Sequence, residues 1–175
     1  MKSNSKIIPI ILTILAVITA IAVIANYSHS KEQLALLESQ EIVLFEKGEE
    51  ICRIGFDDLT EIGPVEFEAN LKSSAMLAPK THTYTGVALS GLFMAAGIPL
   101  RDKSRIVAES LDGYQVPLKI EEVMALDNIF LVFKDDGKYL GAYNEAGGQG
   151  PYMMVIRGDK FSQRWAKYVI GLNVE

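Results

Sequence analysis

Cysteine is nearly missing from this chain: Cys52 is the only one in 175 residues. A single thiol excludes an intrachain disulfide, a Cys-rich zinc site and a Cys-x-x-Cys redox pair, so packing alone must hold the fold. Histidine is scarce too. His29 and His82 lie far apart in the chain and offer no metal-ligand spacing of the kind zinc hydrolases use. Gly-x-Ser-x-Gly does not occur, and Ser73, Ser74, Ser90 and Ser110 show no His/Asp arrangement, which leaves a serine hydrolase without support. Basic clusters are absent as well. The chain has 22 acidic against 17 basic residues, and two of the lysines, Lys2 and Lys6, sit at the extreme N-terminus. The remainder of the chain is strongly acidic and suits neither a nucleic-acid backbone nor an anionic membrane surface.

What the chain does have is one long apolar run. Ile7 to Ala25 contains Ile, Leu, Val, Ala, Thr and one Pro, without a charge. A spanning helix needs roughly 20 such residues. Lys2 and Lys6 precede the run and no acid occurs before Asn26, so the positive-inside bias keeps the N-terminus in the cytoplasm. The expected arrangement is a single-pass cell-membrane protein with its C-terminal domain extracytoplasmic. A cleaved signal peptide is the alternative, with Ala20-Ile21-Ala22 as the cleavage site, although such apolar cores usually run only about 7–15 residues. The expected organisation is an anchor or signal peptide at 1–25, a linker at 26–40 with a short Leu34/Leu37 stripe, and one globular domain at 41–175.

Within that domain the pattern alternates between strands and short helices. Ile42 to Phe45 and Glu50 to Phe56 flank Lys47-Gly48 as a β-hairpin, with Cys52, Ile54 and Phe56 on one face. Asp57 to Glu61 predicts a helical turn or two, capped by an acid and ended by Gly63-Pro64. Val65, Phe67, Ala69 and Leu71 alternate with polar residues, which predicts a strand with one buried and one wet face. Thr81 to Thr85 is β-branched and aromatic. Leu89, Leu92, Phe93 and Ala96 then adopt helical spacing, closed by Gly97 and Pro99. Ile106 to Ser110 and Gln115 to Leu118 flank the hairpin dipeptide Asp112-Gly113. Ile120, Val123 and Met124 predict a short helix, and the unbroken Ile129 to Phe133 run a strand covered on both faces, turning at Asp136-Gly137. Met153 to Ile156 and Tyr168 to Val174 complete a mixed, strand-rich α+β class.

Few residues in this pattern carry chemistry by themselves. Cys52 shares its strand face with apolar neighbours and reads as a small buried hydrophobe rather than a redox thiol. Asp57-Asp58 reads as a helix start. The Gly147 to Gly150 loop is either a backbone cradle for an anion or a long turn between strands.

Several segments taken in order resemble the oxidoreductase molybdopterin-binding domain of the sulfite oxidase family. Phe56-Asp57-Asp58-Leu59 is similar to its opening helix, and Val65 to Leu71 to the strand leading to its metal-ligating cysteine. Thr85 to Phe93 with Ala96-Gly97-Ile98 resembles its Trp-x-Gly segment. Asp112-Gly113-Tyr114, Gly150-Pro151 and Trp165 to Val169 are similar to later landmarks. The resemblance implies that family's fold and a molybdopterin-type cofactor, and it also locates two departures. The position of the ligating cysteine falls at about Ser73, in phase with Val65 to Leu71, and the arginine expected after Gly-x-Pro is replaced by Tyr152 and Met153, with Arg157 and Arg164 as possible substitutes. The chain is also shorter than the family's full-length enzymes.

The expected function is therefore a membrane-anchored module that binds a small-molecule ligand or a redox partner protein without its own molybdenum centre. Two alternatives stand beside it, an active molybdopterin-dependent oxidoreductase with an altered metal shell and a structural subunit of a membrane complex. The resemblance places cofactor-binding candidates at Ser73, His82, Tyr114, Tyr143, Gly148, Tyr152 and Arg164.

Overall fold

The structure, a computed structural model, describes residues Ile7–Glu175. It divides into an N-terminal unit ending at Ala35 and a globular unit, Leu36–Glu175. Helix α1 spans Ile7–Ser39, so most of the 26–40 segment, expected as a linker, continues the helix. Its apolar stretch to Ala25 rises about 28 Å at ~1.5 Å per residue, which matches a hydrocarbon layer roughly 30 Å thick. Side chains there are exposed throughout. The two hydroxyls within it are satisfied internally, Thr13 donating to the Pro9 carbonyl and Thr19 to the Leu15 carbonyl, as a hydroxyl in an apolar medium requires.

The globular unit is built on two five-stranded sheets. In the first, the hairpin β1 (Ile42–Glu46) and β2 (Glu49–Ile54) joins β10 (Val169–Val174), β5 (Arg105–Ser110) and β6 (Gln115–Lys119) in the order β2-β1-β10-β5-β6. The β1–β10 pair is parallel, with Val43 opposite Gly171, and the others are antiparallel. Leu36 and Leu37 pack with Val43 and Ile170 on this sheet. The second sheet sets β3 (Val65–Leu71) beside β4 (Lys80–Ala88) and β4 beside β7 (Ile129–Asp135), while β8 (Lys138–Tyr139) and β9 (Met153–Ile156) both pair with β7.

One apolar core joins the two sheets, including Leu44, Ile106 and Leu172 from the first and Val87, Leu131 and Val155 from the second. Helix α3 (Leu89–Ala95) inserts Leu89, Leu92 and Phe93 into it, as the helical spacing predicts. Helices α2 (Phe56–Ile62) and α4 (Ile120–Met124) complete the secondary structure with a 3₁₀ turn at Ser162–Arg164. Ile129 to Phe133 of β7 are all buried, the pattern of a strand covered on both faces.

Three local expectations need correction. Helix α2 begins at Phe56 behind Gly55, and Asp58, not Asp57, closes its start by accepting the Gly55 N–H at 2.8 Å. Phe56 therefore leaves the β2 face it was assigned to. Strand β3 lies at a sheet edge, so Val65 is exposed and Phe67 and Leu71 are only half-buried, leaving Ala69 as its buried residue.

Candidate ligand-binding site

Where β3 ends, the backbone turns outward and opens a cleft of 380 Å³. That is within the usual range for small-molecule sites, roughly 300–1,000 Å³. One wall comes from β3 and the residue after it, Glu68, Ala69, Asn70 and Lys72. The other comes from the segment after β9, Arg157, Asp159 and Lys160. The walls are tied together by Ser162 N–H donating to the Lys72 carbonyl at 2.9 Å. Each cation also has a fixed seat. Lys72 and Lys160 lie over the Phe161 ring at 5.2 and 5.7 Å, and Arg157 lies over Phe67 at 5.4 Å while donating to the Asp127 carbonyl. Asp159 is already paired with Arg164. Three cations thus face Glu68 as the other acid in the lining, which makes this a positive pocket on an acidic domain.

A larger groove of 950 Å³ lies between α3 and the residues after α4, lined by Met94, Pro99, Leu100, Met124 and Leu126. Arg101 is its one ionisable lining residue, so it lacks the convergent polar groups that orient a small polar ligand.

The seven expected site residues fall in different neighbourhoods. Ser73 comes directly after the cleft residue Lys72 but does not line the cleft and is exposed: β3 stops at Leu71, and the strand phase that pointed Ser73 inward stops with it. Arg164 lies behind the cleft with its guanidinium engaged by Asp159 and by Glu122, and these hydrogen bonds push its pKa still higher. Tyr114 donates its hydroxyl to the Gln163 carbonyl at 2.8 Å, next to Arg164 in sequence, and is 43% exposed.

Tyr143, Gly148 and Tyr152 belong to the long segment between β8 and β9. Tyr143 is exposed. Gly148 is buried against the Ala142 carbonyl, where a Cβ has no room, and its N–H donates to the Glu145 carbonyl. The N–H groups of Gln149 and Gly150 both donate to the Gly141 carbonyl. These amides close the loop on itself. Tyr152 is fully buried, donates to the Gln40 carbonyl at 2.8 Å, and has its pKa raised by burial and then by Asp57 and Asp58.

His82 is buried on β4, with Nδ1 2.8 Å from Asp135 Oδ1. Sequence reasoning missed Asp135, Asp136, Lys72 and Lys160. Asp136-Gly137 carried only a turn signal, and isolated lysines carry none.

No thiol lines the cleft. The only thiol, Cys52, is on β2 of the first sheet, while the cleft lies against β3 of the second. Burial, with the charges of Asp58 and Glu50, also raises its pKa. Ser73 offers a hydroxyl in its place, a poor donor for a soft metal site.

No family model matches the chain, and no curated protein does. Among solved structures, the sulfane dehydrogenase SoxCD from Paracoccus pantotrophus is similar in fold, with a TM-score of 0.62 and 21% sequence identity over 77% of this chain. This chain spans 37% of the length of that one. At this identity the likeness shows a shared fold alone.

Proposed function

We propose that this protein is a membrane-anchored, extracytoplasmic module of sulfite-oxidase-type fold that binds a small anionic ligand, or serves a redox partner, without a molybdenum centre of its own. One observation carries the reading: at the end of β3, where the resemblance places a metal-ligating cysteine, the chain has an exposed serine beside a pocket lined by Lys72, Arg157 and Lys160. Cations at a site without a thiolate suit a ligand held by charge and hydrogen bonds. The two lysines are seated on Phe161, which limits the side-chain entropy they lose when they engage an anion.

The test is metal analysis together with ligand-release mass spectrometry on the full chain, purified from a molybdenum-replete host. The reading expects molybdenum far below one equivalent and a released anionic small molecule that is lost from a Lys72→Ala/Lys160→Ala variant. Stoichiometric molybdenum, or a pterin in the released fraction, ends it.

A further inference from the structure

The β7–β8 hairpin turns through Asp136 and Gly137, both at positive φ (48° and 77°), the conformation that matches a two-residue turn to strand twist. The turn is docked on β4 by two bonds: Asp136 N–H donates to the Thr83 carbonyl at 2.7 Å, and Thr83 N–H donates to Asp136 Oδ1 at 3.0 Å. Asp136 Oδ2 is left 3.6 Å from His82 Nδ1, on the strand beside it, and Asp135 Oδ1 lies 2.8 Å from the same nitrogen. One ligand atom from each of the three residues fits within 4.8 Å of the others.

We propose that His82, Asp135 and Asp136 form a binding site for a divalent first-row transition ion of the zinc class. The separations of 2.8 and 3.6 Å straddle the edge of about 3.3 Å expected for a tetrahedron of ligands at roughly 2.0–2.1 Å from a metal. Among the described residues, the ion-pair partner of both carboxylates is His82, with no lysine or arginine within 4.0 Å. Two negative charges therefore converge on one imidazole.

His82 is 9% exposed and held on β4. A divalent ion at Nδ1 brings two units of charge and three bonds to the two carboxylates and the imidazole. Asp135 is partly buried and Asp136 is more than half exposed, so the ion has an entry path and water can complete its shell. One nitrogen with two carboxylates suits zinc, cobalt or manganese, whereas magnesium and calcium prefer all-oxygen shells.

Asp136→Asn is the decisive variant, because its amide oxygen can still accept the Thr83 N–H. The experiment titrates the full chain in detergent with Zn²⁺ alone, alongside Asp136→Asn and His29→Ala, and reads stoichiometry, affinity and melting temperature. Co²⁺ loading supplies a visible d–d band as a readout of nitrogen and oxygen ligation. The proposal expects one equivalent of Zn²⁺ and a melting temperature raised by several degrees. It also expects affinity reduced at least tenfold in Asp136→Asn with the metal-free melting temperature unchanged, and wild-type behaviour in His29→Ala. Absence of saturable binding, wild-type affinity in Asp136→Asn, or loss of binding in His29→Ala overturns it.

Discussion

Gly86 of β4 lies so close to Leu131 of β7 that a Cβ on it would be driven into the Leu131 carbonyl oxygen. The register shifts at this point, between Thr85 and Gly86, and β4 then continues into α3. The glycine of the Thr85-Gly86 landmark is thus explained by packing: it lets the two central strands of the second sheet approach. Gly86→Ala should destabilise the domain by about 1–3 kcal/mol, the usual cost of overpacking a tight core. Urea unfolding of the wild type and the variant measures it; equal midpoints would contradict the close approach.

Arg164 is a structural cross-link, holding Asp159 after β9 to Glu122 of α4. Arg164→Met leaves two partly buried carboxylates without their cation, and its partial exposure keeps the loss near 1–2 kcal/mol. The hydrogen bond from Arg164 also holds the Glu122 carboxyl below its usual pKa. A depressed folded-state value means that the contribution is complete above the unfolded value and fades as pH falls through the folded one. The wild-type advantage over Arg164→Met should therefore shrink on acidification below about pH 5, as read by melting temperatures across that range. An advantage that grew on acidification would reverse the assignment.

Cys52 should behave as a poorly reactive thiol. Burial raises its pKa, with the charges of Asp58 and Glu50 adding to the effect. Alkylation by iodoacetamide at pH 8 should run several-fold slower than for a free cysteine of pKa about 8.5. Cys52→Ser should leave the metal content of the purified protein unchanged.

The positive-inside reading of Lys2 and Lys6 has its own test. Alkaline phosphatase fused after Glu175 should be active, because that enzyme requires the oxidising exterior, and the fusion should resist carbonate extraction from membranes. An inactive fusion at normal abundance would invert the orientation, while release into the soluble fraction would favour the cleaved signal peptide.

The sequence by itself determined the elements and the local hairpins. Strand alternation, helical spacing at Leu89, Leu92 and Phe93, and turn dipeptides at Lys47-Gly48, Asp112-Gly113 and Asp136-Gly137 all depend on neighbours a few residues apart, and each recurs in the structure. Landmark order also pointed to the kind of fold that the likeness to SoxCD shows. The sites were decided by pairings between distant segments. Lys72 reaches Arg157 and Lys160 only because the segment after β9 folds back over the end of β3, and His82 meets Asp135 and Asp136 only through the β4–β7 register. Periodicity reports which face of a strand is buried, not which strand lies beside it. Ser73 marks the boundary between the two kinds of knowledge: its phase was readable from Val65 onward, but the end of β3 at Leu71, set by tertiary pairing with β4, turned it out to solvent.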